Sequence, residues 1–428
     1  MSAATEDGPA LRRDLALATW GLFVGLALLM FAGGLFGTLL GVRSERTGLP
    51  TIVSSLISAS YYIGFLLGSV LTLSALGRVG HIRVYAALAS VLSAAMIGVG
   101  VSNEAGMWVL LRLITGVCTA GVYVVAESWL NDLANNENRG RLLAVYGVVT
   151  IAFFGLGQLM VSAFNPLLVA GFGVAAIATS LAVAPVALSE AAIAPNLEES
   201  EHVSLRELSQ IVPTGMYSCL LVGIAHGAMS GMAAIYATRV GLSAGQIGLF
   251  VALPSIGGVV LQWPISAASD DIDRRAVGVA AASGAAVVAA LLLLGSPHRP
   301  MAFVLMGLLG GLSYPLYSIS GAYTNDWIEP EQLNAAASQL VKLYGLGAIA
   351  GPFAAGAAMS WIGVTGFFWS LIGLHLVIAG FFLYRMFAWR APLAKRPWSE
   401  VSLPARTFYV PATIISVGRR RRRRRTAG

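Results

Sequence analysis

Arg112 and Glu127 stand inside one apolar run, 107–130, where an ionised side chain is costly and calls for a partner. At 100° per residue, Arg112, Gly116, Thr119, Ala120, Tyr123 and Glu127 fall within a sector of about 100°. One helical stripe therefore carries small, aromatic and charged groups, and must face protein or water rather than lipid. The two charges are fifteen residues apart, roughly 22 Å along a helix, so they need different partners. Arg112 either snorkels to the nearer interface or turns inward to bind an anionic group. Glu127 is either an interfacial carboxylate satisfied by water or a proton site.

Other polar residues inside apolar runs are weaker candidates. Lys342 is a snorkelling lysine or a cavity cation, and His226 and His375 are hydrogen-bonded packing residues unless His226 relays a proton. Gln158, Gln262, Tyr314 and Tyr317 can line a cavity through uncharged hydrogen bonds. Gly347, Gly351 and Gly356 around Pro352 permit close helix approach and a bend.

These residues recur with a period. Adding 194 to the number maps Gly116 onto Gly310, Tyr123 onto Tyr317, Asn131 and Asp132 onto Asn325 and Asp326, Glu137 onto Glu331, and Gly157 onto Gly351. Segment 305–334 thus repeats segment 110–141, but Met306 stands where the first copy has Arg112. A repeat of nearly half the chain points to two related helical bundles facing each other.

Composition fixes the solvent. The chain of 428 residues is 57% hydrophobic and 11% charged, against about 25% charged residues in a soluble domain, so its apolar surface belongs in lipid. The net charge of +7 equals the seven arginines of the run Arg419–Arg425, so no basic face is left for nucleic acid. Cys118 and Cys219 both lie in apolar runs and read as small packing residues.

Twelve spans are expected, at 15–40, 51–76, 84–102, 107–130, 142–164, 167–188, 214–238, 246–268, 276–295, 301–324, 337–360 and 363–388. The first is too long for a signal-peptide core of roughly 7–15 residues. The resulting layout is a cytoplasmic N-terminus 1–14, a six-helix bundle 15–188, a linker 189–213, a second six-helix bundle 214–388 and a basic cytoplasmic tail 389–428. With the N-terminus inside, inner segments carry Arg12, Arg13, Arg78, Arg83, Arg139, Arg141, Arg206, Arg274 and Arg275. Outer segments carry Arg43, Arg46, Arg239 and Arg299. Nine against four favours both termini in the cytoplasm.

Two six-span halves, short loops after spans two and eight, and Arg139-Gly140-Arg141 after span four resemble the major facilitator superfamily. Its loop pattern G-x-x-x-D-R-x-G-R-R is similar to the second-half stretch that includes Asp270, Arg274 and Arg275. The first half keeps Arg78 and Gly80 but has Gly77 in the aspartate's place. The segments RVGHIRVYAAL, AESWLN, RGRLLAVY and QWPIS are similar to a YcaD-like bacterial branch, whose substrates the resemblance does not supply. The resemblance implies an all-α membrane fold, and roles for several residues. Arg112 and Gly116 match the R-x-x-x-G pattern of span four, which implies an arginine that binds an anion or adjusts a proton-carrying carboxylate. Glu127 and Arg139 resemble an ion pair that closes the cytoplasmic entrance, with Arg78, Asp270 and Arg274 as its neighbours.

The expected site is therefore Arg112, Gly116, Tyr123, Tyr317, Lys342 and His226 for substrate or coupling, with Glu127, Arg139, Arg78, Asp270 and Arg274 at a cytoplasmic gate. No phosphate loop, cysteine–histidine metal spacing or nucleophile elbow is present in the sequence, so no cofactor, metal or catalytic role is expected. The expected function is secondary active transport of a small molecule across a bacterial inner membrane, coupled to protons, by a monomer. The other reading is a non-transporting sensor or assembly protein built on a transporter fold. Anionic lipid is the expected partner of the Arg419–Arg425 run, at about 1 kcal/mol per arginine near the surface.

Overall fold

The structure is a computed structural model and describes residues 7–133, 139–188, 204–329 and 332–388. The linker residues 189–203 and the tail 389–428 with its arginine run lie outside the described residues. Twelve helical spans are long and apolar enough to cross a membrane. The first half comprises α1 (Asp7–Arg46), α2 (Thr51–Val79), α3 (His81–Val101), α4 (Ala105–Leu133), α5 (Arg139–Leu159) and a sixth span made of α6 (Ala170–Leu181) and α7 (Val183–Ala187). A short helix α8 (Leu205–Ile211), capped by the Ser204 side chain, precedes the second half. That half comprises α9 (Pro213–Arg239), α10 (Ala244–Asp271), α11 (Arg274–Leu294), a tenth span broken into α12 (Pro300–Ser313) and α13 (Pro315–Asn325), α14 (Leu333–Ile362) and α15 (Gly366–Ala388). No strand occurs among the described residues.

Glycine sets how closely the helices approach, and it does so twice over. In the first half, Gly116 of α4 lies on the Tyr61 carbonyl of α2, and Gly157 of α5 lies on the Phe31 carbonyl of α1. In the second half, Gly310 lies on the Pro254 carbonyl and Gly351 on the Ile224 carbonyl. These four contacts repeat at the sequence offset of 194, to within one residue on the carbonyl side. The two bundles are thus built on the same close-packed pairs, with backbone contact where a side chain would force the helices apart. Gly80, at φ 83°, makes the reversal between α2 and α3 that other residue types disfavour.

Two expectations about charge placement change. Arg43 is not a loop residue: α1 runs on to Arg46, and the Arg43 side chain is buried. It donates to the carbonyls of Val99, Gly100 and Ser102 and to Asn103 Oδ1, which satisfies the end of α3, and it lies against the Trp108 and Phe172 rings. An arginine at a helix C-terminus answers the unpaired carbonyls and the negative end of the dipole. Arg274 and Arg275 likewise belong to the first turn of α11 and are buried.

Candidate functional site

Between the two halves lies a cavity of about 130 Å³, lined from α1, α2, α3, α4 and α5 on one side and from α9, α10, Tyr314 and α14 on the other. That is roughly ten times the space one enclosed water needs, so it is large enough for a small ligand. Its walls are serine, threonine and tyrosine hydroxyls among leucine, methionine and phenylalanine.

Arg112 reaches this cavity from α4. Its guanidinium carbon stands 4.3 Å from the centre of the Tyr61 ring and 5.4 Å from that of Phe36. Gly116, one turn further along α4, touches the Tyr61 backbone rather than the cavity, so its work is to let α2 bring Tyr61 against Arg112. Tyr123 lines the cavity, and its hydroxyl donates to Met30 Sδ at 3.0 Å. Of the helical stripe read from the sequence, Arg112, Thr119 and Tyr123 face the cavity, whereas Gly116, Ala120 and Glu127 do not line it.

The second-half candidates fall differently. Tyr317 is not in the cavity wall; it packs edge-on behind Tyr344, with ring centres 5.1 Å apart, and Tyr344 takes the wall position. Lys342 precedes Tyr344 by two residues, which turns it about 200° around α14, and it does not line the cavity. His226 is also one layer back. Its Nδ1 lies 3.0 Å from the Tyr344 hydroxyl and its Nε2 lies 3.1 Å from the Ser313 carbonyl. A carbonyl only accepts, so Nε2 carries the proton and Nδ1 accepts from Tyr344. The Ser313 carbonyl is open to His226 because the tenth span breaks here: Pro315 begins α13, and the Tyr317 N–H turns to Tyr314. His375 extends the network, with its Nε2 2.8 Å from Ser313 Oγ.

The expected gate residues divide. Arg274 donates to Asp326 at 2.7 Å and to Asp270 at 3.2 Å, and both Arg274 and Asp326 side chains are almost wholly buried. Asp326 was not among the expected gate residues, although the 194 offset had paired it with Asp132. This trio lies within the second half, joining α10, α11 and the end of α13. In the first half, His81 stands at the corresponding loop with Nε2 3.1 Å from Ser128 Oγ and its ring beside Trp129. Glu127 is half-buried and accepts from the Tyr146 hydroxyl at 3.3 Å. The Arg139 side chain lies outside what the structure describes, and Arg78 is exposed, with no ion pair among the described residues.

The described ion pair that joins the two halves is at the opposite end, and sequence reasoning missed it. Arg239 at the end of α9 grips Glu45 at the end of α1 with two bonds of 2.8 and 2.7 Å, and also reaches Thr51. Around it, Ser58 donates to the Gly231 carbonyl, Ser55 contacts Met232, and Gly41 and Gly356 lie against Ala234 and Ser55. The missing signal was in the numbering: 45 and 239 differ by 194.

The Major Facilitator Superfamily model matches residues 22–243 and 215–425. An uncharacterized MFS-type transporter of Enterobacter sp. (strain 638) is 30% identical over 347 residues, which are 77% of this chain and 86% of the relative. The uncharacterized MFS-type transporter YcaD of Escherichia fergusonii is 30% identical over 339 residues, with the same coverage. The crystal structure of the nucleoside transporter NupG is similar with a TM-score of 0.72 at 14% identity, over 87% of this chain and 100% of that one. A bacterial homologue of the lysosomal transporter Spinster, inward-facing and occupied, gives a TM-score of 0.69 at 14% identity, over 88% and 97%. Those two structures share the fold. With both halves matched and relatives at 30% identity along most of its length, the chain belongs to the major facilitator superfamily of membrane transporters.

Proposed function

We propose that this protein is a secondary active transporter that carries a small molecule across a bacterial inner membrane by alternating access, driven by protons. One observation carries the reading: the cavity is walled by both halves, while the described ion pair and serine contacts between halves gather at the Glu45–Arg239 end. A cavity sealed at one end by contacts between two rigid bundles is what rocking of one bundle against the other requires. The loop arginines favour both termini in the cytoplasm, which sets the Glu45–Arg239 seal outside and the Arg274–Asp326 end inside. Glu127 with Arg139 then closes the cytoplasmic side in the opposite state. His226, one hydrogen bond behind the wall residue Tyr344, is the titratable group nearest in kind to a proton carrier.

Purified protein in liposomes, offered a panel of metabolites and drugs with and without a pH gradient, tests this directly. Gradient-dependent accumulation of at least one solute is expected. No flux of any solute by correctly inserted protein would sink the reading. Reporter fusions after Arg46, Arg206 and Arg299 should read outside, inside and outside; an outside reading at Arg206 would invert the orientation.

A further inference from the structure

We propose that the substrate is a small organic monocarboxylate, with one negative charge and no cationic centre, held by Arg112 between Tyr61 and Phe36. The proposal rests on the cavity being the transport site and names what that site takes.

Among the described residues, every buried arginine outside the cavity wall is engaged. Arg43 donates to four oxygens, Arg274 to two carboxylates, Arg275 to Asp273 and the Arg385 carbonyl, and Arg385 to Thr214. Arg112 differs. It is partly exposed, lines the cavity, and its guanidinium makes no hydrogen bond or ion pair among the described residues. Its described contacts are the two ring faces, which hold the cation without engaging its five N–H donors. Gly37 keeps the space beside it open, since a Cβ there would stand 3.6 Å from Nη2.

The rest of the wall defines the charge. Among the described residues no aspartate, glutamate, lysine or histidine lines the cavity, so Arg112 leaves it one positive charge from neutrality. Four hydroxyls of the wall are already committed as donors. Thr115 donates to the Arg112 carbonyl, Thr119 to the Thr115 carbonyl, Ser58 to the Gly231 carbonyl and Tyr123 to Met30. Those four have lone pairs rather than protons to offer a ligand.

One planar cationic fork, in a wall whose other described residues are uncharged, matches one carboxylate, which it takes with two parallel bonds. A second carboxylate would find no second cation among the described wall residues, and an ammonium group would enter a cavity that is already cationic. A neutral amide of the same shape leaves the guanidinium unanswered. Met30, Phe36, Phe154, Met229 and Val251 offer the apolar body of such an acid a dry wall. Binding then has a mechanical consequence: the loaded cavity is neutral, and the empty one carries a charge between the halves.

The test uses the purified full chain and three radiolabelled monocarboxylates of graded size: pyruvate, hexanoate and benzoate. At least one should bind saturably. For the acid that binds, the matching neutral amide should compete about tenfold or more less well, as should phthalate and phenylalanine. These comparisons need no variant, so a misfolded mutant cannot obscure them. Arg112→Gln that still elutes as a single species should lose about tenfold or more in affinity, with Arg112→Lys between it and wild type. Binding by none of the three acids, equal competition by the amide, or unchanged affinity in Arg112→Gln each overturns the proposal. Flux of another solute without monocarboxylate binding overturns the anion class and leaves transport standing. Saturable binding without any flux leaves the anion site standing and removes transport.

Discussion

Glu45 and Arg239 are equivalent positions of the two repeats, 194 residues apart, and they hold each other with two bonds of 2.8 and 2.7 Å. Equivalent positions can touch only where the axis relating the halves passes between them. Two like charges there would repel; opposite charges make a latch that draws the ends of α1 and α9 together. Both side chains keep some contact with solvent, at 17% and 27% exposure, so the latch can open and re-form without stranding a buried charge.

A latch of this exposure is worth about 1 kcal/mol or less, which shifts a two-state equilibrium up to about fivefold. Glu45→Gln should therefore raise labelling of Ser58→Cys by an impermeant thiol reagent from the Glu45 side, by about that factor. The background is low because Cys118 and Cys219 are buried. The swap Glu45→Arg with Arg239→Glu should restore the wild-type level. Glu127→Gln should raise labelling from the other side instead. Equal labelling in all these proteins would remove the latch and the gate from the account.

The Arg274 trio should behave as a packing element rather than a latch. Asp326→Asn takes one carboxylate charge away from Arg274, itself 1% exposed, and breaking a buried pair in this way costs about 3–5 kcal/mol. Thermal melting in detergent should fall clearly below that of Glu45→Gln. If the two variants melt together, the buried trio contributes no more than the exposed pair.

Gly116 tests whether close packing is what seats Tyr61 under Arg112. A Cβ at Gly116 would meet the Tyr61 carbonyl, whereas one at Gly106, on the same helix, meets nothing within 4 Å. Gly116→Ala should cost about 1–3 kcal/mol and weaken solute transport, while Gly106→Ala should be neutral or slightly stabilising. Transport and melting measured on both variants decide it; equal behaviour would mean α2 and α4 can separate freely.

Arg112→Lys separates a gripping arginine from a merely tolerated cation. Lysine keeps the charge and costs a span about the same 2.5–3.5 kcal/mol on insertion, so expression and membrane insertion should survive. It cannot reproduce the planar fork or the stacking on Tyr61, so gradient-driven accumulation in liposomes should be lost. Accumulation at the wild-type level would return Arg112 to the status of an interfacial charge.

What the sequence determined alone is what local chemistry encodes. Hydropathy over about 20 residues fixed the spans, because crossing a bilayer is a property of one helix at a time. The 3.6-residue period placed Arg112 and Tyr123 on a shared stripe, and both line the cavity. The offset of 194 set the two halves before any contact was known, and the glycine contacts follow it. Partners were another matter, because a partner is chosen by packing between helices far apart in the chain. Arg43 and Arg112 are both arginines near the same end of the bundle. One is absorbed by the end of α3, and the other is left facing a cavity. Tyr317 repeats Tyr123 in sequence yet sits behind Tyr344; the tenth span breaks at Tyr314, where α4 runs unbroken through the equivalent position. Whether a charge inside the membrane is structural or open to a ligand depends on what the neighbouring helices bring within about 3 Å of it, and only the tertiary structure decides that.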